Sequence, residues 1–509
     1  MRPSVPGSVC LRRVLLVAVA AVALTWASVV SAQAAPTDPP PDDPNAGLYV
    51  IVEASTRPLD QMLLLPTVCQ ASKAQCDLID QVLFNDTRLS GLLRPARGTA
   101  AQAAAMTKAP LPNFVLKPSA SAGSGAVWIM ATMLRPAKVA GQLELVIAVA
   151  AAKDGKPLDL GDWAHQLGPD TSLRYVAHRV LNAVQGALTG IEGSFDTVVY
   201  YSAPAPGCNR AIWQVDVDGY NRRVLVADTG PNGIHLLPVQ LQDSALAYTS
   251  FRSGLPSLYK LDAAQIAILT EMTPTVAKGL KLKKSSTGTA TQPAEKVAPP
   301  GPFASGKDLQ FHGCAQSPRG EIVSTVNDGE QSDIFVVDYT GAPGRNLTHD
   351  EHDDLSPSFS PDGEKVAFVS DRKGTPQVYV MDGDGSNVRR LTFVGPYNTD
   401  PEWGPDGRIA YSSLRGNAID ILTIDLNGKA QRLTPGQGRR SLEPTWSPDG
   451  KRLIYVSNED GKCTRLWVTS ADGAAREPLD VPCDRSYNTP SWQRIPGQGP
   501  RKWQAHRTQ

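Results

Sequence analysis

The chain has 509 residues, of which 41% are hydrophobic and 20% charged, with 50 Lys and Arg against 50 Asp and Glu. Such balance removes the electrostatic basis for nucleic-acid binding. The length allows two or three domains.

Near the N-terminus, Arg12 and Arg13 precede the apolar run Val14 to Val30, and Ala32-Gln33-Ala34 follows as an A-x-A site. Residues 1–34 therefore read as a secretory signal peptide cut after Ala34. Its removal leaves 47 basic and 50 acidic residues. No second long apolar run follows, so a soluble exported protein is expected. Residues 35–47 are a flexible tail, because their prolines remove backbone donors and the rest is polar.

An α/β domain is expected over 48–193. Leu48 to Val52, Met62 to Leu65, Val127 to Leu134 and Leu143 to Val149 are β-rich. Asp77 to Leu92 places Leu78, Ile79, Val82, Leu83 and Leu89 at helical spacing. Asp170-Thr171-Ser172 offers caps for a second helix, which Gly190 ends. His178 on that helix is read as packed or at the surface.

From Ser194 the grammar changes. Residues 356–363 read Ser-Pro-Ser-Phe-Ser-Pro-Asp-Gly, 400–407 read Asp-Pro-Glu-Trp-Gly-Pro-Asp-Gly, and 443–450 read Glu-Pro-Thr-Trp-Ser-Pro-Asp-Gly. Pro357, Pro401 and Pro444 are 44 and 43 residues apart. A period near 40–45 built from short strands and Asp-Gly turns indicates a β-propeller with four antiparallel strands per blade. Weaker units at 194–228, 234–270 and 313–348 bring the expected number to six. The fold class is thus a small N-terminal α/β domain followed by a six-bladed propeller over 194–495. The first unit lacks an opening strand, and Thr489 to Gln493 matches one, so the C-terminal strand is expected to close the ring. Residues 271–307, rich in Thr, Pro, Lys and Ser, read as a disordered insertion, and 496–509 as a tail.

Six cysteines follow the signal. An even number in an exported chain favours disulfides. The near pairs Cys69–Cys76 and Cys463–Cys483 come first, which leaves Cys208–Cys314 by elimination; free buried thiols are the alternative.

Catalytic signatures do not assemble. There is no Gly-x-Ser-x-Gly elbow and no metal-ligand spacing, so neither an enzyme nor a bound metal is expected. Asp216-Val217-Asp218-Gly219 and Asp382-Gly383-Asp384-Gly385 read as hairpin turns rather than calcium loops, although carboxylates converging in a propeller channel leave calcium as a further option. The loops before the opening strands cluster at one mouth of the channel. They carry His352, Asp353 and Asp354; Tyr397, Asn398, Thr399 and Asp400; Ser441 and Glu443; and Tyr487, Asn488 and Thr489. Polar groups with an occasional tyrosine suit a protein-docking rim. The blander reading is that they stabilise turns. Trp403, Trp446 and Trp492 share the repeat position of Phe359, which favours blade packing over sugar stacking.

The junction is the most specific stretch. Leu173-Arg174-Tyr175-Val176-Ala177-His178 opens the second helix, Leu188-Thr189-Gly190-Ile191-Glu192-Gly193-Ser194-Phe195 leads into the first blade, and Val217-Asp218-Gly219-Tyr220-Asn221 follows. With Tyr49 to Glu53, Arg57-Pro58 and Leu63 to Pro66, this resembles the TolB family of the Tol–Pal system over roughly residues 48–495. The resemblance implies a monomeric periplasmic scaffold that maintains outer-membrane integrity, supports cell division, and touches membranes only through partners. It implies that the mouth binds the lipoprotein Pal. It also implies that the N-terminal segment, Leu48, Tyr49, Val50, Ile51, Val52 and Glu53 with Arg57, recruits TolA by adding a strand to a sheet edge. The competing reading is an exported propeller that binds glycans or other envelope proteins, or that accompanies a peptidase.

Overall fold

The computed structural model describes residues 50–106, 125–160, 164–168, 172–272, 302–306, 308–338, 343–436, 438–461, 463–482 and 487–492. The expected signal peptide and Pro-rich tail, Leu48, Tyr49, most of the expected insertion, Cys483 and the expected tail 496–509 lie outside the described residues. Among the described residues, no helix is long and apolar enough to cross a membrane.

The N-terminal elements are β1 (Val50–Val52), β2 (Asp60–Leu64), β3 (Val68–Cys69), α1 (Lys73–Leu89), β4 (Leu93–Arg97), α2 (Ala100–Met106), β5 (Trp128–Pro136), β6 (Leu143–Ala151), β7 (Ala164–Leu167) and α3 (Leu173–Thr189). Ser72 caps α1, and Gln75 reaches back to its backbone. Ser172 caps α3, and Gly190 ends it at φ 79°. The sheet order is β4-β2-β5-β6-β7; β4, β2 and β5 run parallel, and β6 and β7 antiparallel. Ile79, Val82 and Leu83 of α1 and Val176, Val180 and Val184 of α3 bury their periodic faces against Met62, Met130 and Leu145. The same apolar cluster continues through Phe195, Tyr201 and Trp492. No layer of solvent therefore divides the α/β part from the strands that follow.

Those strands make the molecule mostly β and propeller-like. Four expected units are separate four-stranded antiparallel meanders, opening with Gln310–Gln316, Asp354–Phe359, Asn398–Trp403 and Ser441–Trp446. The first two units run together in one eight-stranded sheet instead of standing apart. The cause is Gly230–Gln240, which pairs in parallel with Cys208–Asp216 at Gly230↔Cys208 and Ile234↔Arg210. The last described strand, Asn488–Trp492, pairs with Val198–Ala205, joining the C-terminal end to the first unit.

Three expectations need correction. The strand Pro302–Ala304 pairs with Ser257–Leu261 and the helix Ala263–Met272 precedes it, so the 271–307 insertion overlaps ordered structure at both ends. β1 is no part of its own domain's sheet. It pairs in parallel with Lys429–Arg432, and Ile51 packs against the apolar cluster of Leu422 and Ala430. Finally, Cys208 and Cys314 are free and buried in separate apolar clusters, so elimination misled the pairing. Cys208 bonds the Gly233 carbonyl at 3.3 Å, and burial pushes the Cys314 thiol up to about 12. Cys69–Cys76 is present and Cys463 is disulfide-bonded.

One departure from the repeat has a packing cause. Gly404 stands where the neighbouring repeats carry Ser360 and Ser447. A Cβ there would lie 2.5 Å from the Trp446 indole of the next unit. Restoring the repeat with Gly404→Ser should therefore destabilise the protein by about 1–3 kcal/mol through overpacking. Urea unfolding measures this; an unchanged midpoint would show that the indole moves aside.

Candidate functional site: the channel and its rim

The opening strands surround a cavity of about 870 Å³. Each strand carries a residue at positive φ at the equivalent point: Leu237 (53°), Gly313 (63°), Ser356 (54°), Asp400 (53°), Glu443 (54°) and Thr489 (49°). Every one marks a register shift against the second strand of its unit. These are β-bulges, and five of the six residues are not glycine, so the surroundings must hold a conformation that L-residues avoid.

Hydrogen bonds between units do the holding. The amide of Gly313 donates to Thr249 Oγ1 at 2.8 Å, Ser356 to Thr325 Oγ1 at 3.1 Å, Glu443 to Ser412 Oγ at 3.0 Å and Leu237 to Thr489 Oγ1 at 3.2 Å. The Thr489 amide donates to the Glu443 carboxylate. Three residues further on, Trp403 donates to Ser358 Oγ at 2.9 Å, Trp446 to Glu402 Oε1 at 3.2 Å and Trp492 to Thr445 Oγ1 at 3.0 Å. Neighbouring opening strands share no ladder, so side chains from one unit satisfy the amides of the next.

The expected rim residues divide in two. Asp400, Glu443 and Thr489 line the cavity together. Tyr397 is 46% exposed, Asp353 is exposed and His352 half-buried. The others turn inward. Asn398 donates to Gln377 Oε1 at 2.7 Å, Ser441 meets Ser457 at 3.0 Å, and Asn488 is buried on the closing strand. Asp354 receives both bonds from Arg372 at 3.0 Å; burial raises its carboxyl to about 6. Tyr487 is 1% exposed; its hydroxyl donates to the Pro482 carbonyl and its ring packs 5.3 Å from that of Tyr201. These five support the rim instead of presenting themselves on it. Thr399 donates to Asp400 Oδ2 at 3.1 Å.

Asp400 and Glu443 stand at the same repeat position on adjacent units. Burial and the Asp400 charge push the Glu443 carboxyl up to about 8, and burial raises Asp400 as well. Both carboxyls border the open channel at partial exposure, which tempers the burial effect; their mutual repulsion preserves the direction.

Sequence reasoning missed a second centre, on the opposite face of the strands. There Asp86 of α1 meets His178 Nδ1 at 2.7 Å, and His178 Nε2 lies 3.9 Å from Asp218 Oδ2. Arg174 pairs with Asp218, lies 3.6 Å from Asp216 and stacks over Tyr220 at 3.9 Å. Ligand atoms of Asp86, His178 and Asp218 fall within 4.8 Å of one another, but the Arg174 guanidinium already supplies positive charge there. Beside it, Gln185 bonds Asp449 at 2.9 Å and Arg452 bonds Ser194 at 2.9 Å. The signal was present in the runs Leu173 to His178 and Val217 to Asn221. Both runs carried the family resemblance, and the structure brings them into contact.

The N-terminal segment spans this same side. β1 lies on Lys429–Arg432, the Ser55 amide donates to Asp472 O at 2.8 Å, and Arg57 reaches Asp472 at 2.6 Å and the Gly91 carbonyl at 3.1 Å.

A model described as the TolB beta propeller domain matches residues 309–495. The chain is 31% identical over 363 residues to a protein TolB homolog from Chlorobium luteolum, covering 71% of this chain and 73% of that one. It is 30% identical over 223 residues to the Tol-Pal system protein TolB of Bordetella pertussis, covering 43% of each. Among solved structures, TolB from Acinetobacter baumannii superposes with a TM-score of 0.65 at 21% identity, over 86% of this chain and 97% of that one; this speaks for the fold.

The carboxyl pair has a measurable consequence. Below about pH 4.5 the folded and unfolded states both hold the Glu443 proton. Between there and about 8 only the folded state keeps it, so unfolding releases a proton and stability falls as pH rises. The contribution approaches about 1.4 kcal/mol per pH unit. Urea unfolding from pH 5 to 8 should show a shallower decline in Glu443→Gln than in the parent. Parallel profiles would mean that Glu443 ionises freely.

Proposed function

Because this chain belongs to the TolB family, we propose that it is a periplasmic, non-catalytic scaffold of the Tol–Pal system, with its six four-stranded units closed into one ring. The observation that carries this reading is the ring of bulges, which brings residues from every unit to one channel. A channel lined by residues of every unit, with polar side chains in the loops that precede the opening strands, suits a protein-docking face. Pal is its partner there. Asp400, Glu443 and Thr489 line the floor, with Tyr397, Asp353 and His352 on the lip. The second partner is TolA, which takes residues 48–57 by strand addition. Through the two, the protein maintains outer-membrane integrity and supports constriction at division.

Calorimetric titration with the soluble domain of the same organism's Pal tests the first contact. Saturable binding by the parent should weaken by at least about 2 kcal/mol, the scale of a hot-spot loss, in a folded Tyr397→Ala/Asp400→Asn/Glu443→Gln variant. Equal affinity would move the Pal site off the mouth.

β1 gives one of its two edges to Lys429–Arg432, so releasing it should favour pairing with TolA. Arg57→Ala removes its exposed clamp on Asp472 and Gly91. This variant should bind TolA more tightly and lose the segment faster to limited proteolysis. If Pal docking also shifts the segment, each partner must change the other's affinity by the same factor. Unchanged affinities in the ternary mixture would remove that linkage.

A further inference from the structure

A second cavity, of about 190 Å³, lies in the α/β part, away from the channel and from the segment. Its place in the sheet is informative. β2 is flanked by β4 on one side and β5 on the other, all parallel. The chain leaves β2 through α1 to reach β4, then crosses to the other side for β5. Strand order therefore reverses at β2, and a crevice opens beyond the carboxyl ends of such strands. The cavity sits there, lined by Leu64, Leu65 and Pro66 after β2, and by Arg97 and Gly98 at the end of β4.

Its chemistry is two-sided. Leu64, Leu83, Phe84 and Met130 form apolar walls. Asp80 enters from α1 and is half-used: its Oδ1 accepts both the Thr67 amide at 2.9 Å and the Thr67 hydroxyl at 2.5 Å. Thr67 is in turn fixed by Thr132 at 2.7 Å. No described residue bonds Asp80 Oδ2. Burial raises this carboxyl, with Arg97 opposing. Arg97 Cζ lies 4.0 Å from the centre of the Phe84 ring, and no described residue hydrogen-bonds or ion-pairs its guanidinium. Stacking holds the fork in place while leaving its donors for a ligand. Gly98 keeps the wall thin, since a Cβ there would stand 2.7 Å from Leu65 Cδ2.

We infer that this switch-point cavity binds a small zwitterion of the α-amino acid class, its carboxylate on Arg97, its ammonium on Asp80 Oδ2 and its aliphatic side chain against Leu83 and Met130. A cavity of about 190 Å³ admits a ligand the size of a single amino acid and excludes a folded partner. The inference is independent of the mouth and of the N-terminal segment.

The test is calorimetry on the exported chain with L-leucine, L-alanine and D-alanine. Isovalerate, which lacks the ammonium, and isoamylamine, which lacks the carboxylate, serve as half-ligands. Saturable binding of an amino acid is expected, with each half-ligand weaker by at least about tenfold, the scale of one lost charge-assisted hydrogen bond. Arg97 is exposed, and Asp80→Asn keeps the Oδ1 acceptor for Thr67, so both variants should fold. Arg97→Gln should weaken amino-acid binding and leave isoamylamine unaffected; Asp80→Asn should weaken amino-acid binding and leave isovalerate unaffected. Absence of saturable heat for all five probes at millimolar concentration overturns the proposal. So does binding that neither substitution alters.

Discussion

The structure depends on hydrogen bonds that cross between sheets which share no ladder. Each opening strand bulges at one residue in left-handed backbone, and Gly313, Ser356, Glu443, Thr489 and Leu237 offer their amides at that point to a side chain of the preceding unit. A hairpin meander satisfies its own backbone but leaves the innermost strand's outward-turned amides facing a neighbour. Burying them unpaired would cost roughly 1–3 kcal/mol each. Acceptors at Thr249, Thr325, Ser412, Glu443 and Thr489 remove that cost and hold the left-handed residues in place. The channel is therefore a consequence of how the units are tied, and its lining residues are the ties.

The same economy explains why the two ends of the chain behave as one body. α3 is gripped on one flank by the Asp216–Asn221 turn through Arg174 and His178, and on another by the Ser447–Arg452 turn through Gln185. Both turns belong to the face opposite the rim: the Ser447–Arg452 turn closes the far end of an opening strand, and the Asp216–Asn221 turn joins Cys208–Asp216 to Arg223–Val226 at the same end of its meander. One buried ion pair, Asp218 with Arg174, crosses the junction; Asp86 meets His178 on the α/β side of it and Asp449 pairs with Arg452 on the other. Such networks give orientation more surely than net stability. They fix the α/β part relative to the channel, and the segment 50–57 is threaded between the two.

Much of this was legible in the residues. The Pro-Asp-Gly period located the opening strands because a repeated unit must repeat its turns. Helical spacing located α1, and spacing with the caps Ser172 and Gly190 located α3, to within a few residues. The misses share a cause, which is that sequence gives neighbours along the chain and not across it. Tyr487 reads as an exposed loop tyrosine, but Tyr201 and the Pro482 carbonyl enclose it. Cys208 and Cys314 are left over in the pairing, but separate apolar clusters absorb each of them. Leu48 to Val52 reads as β-rich chain of the α/β domain, but the outer edge of a distant meander takes β1. Asp400 and Glu443 were legible as rim residues. Their proximity to each other was not, because it arises only when adjacent units align the same repeat position.

Hydrogen exchange at single-residue resolution, with and without saturating soluble Pal, tests the central claim that the tied ring is also the docking face. The account predicts slowed exchange at the bulge amides of Ser356, Glu443, Thr489 and Leu237 and at the adjoining Tyr397 loop, because docking over the mouth closes the channel to solvent. Protection confined to the Pro-Asp-Gly turn face or to the α/β part, with the bulge amides unchanged, would contradict it.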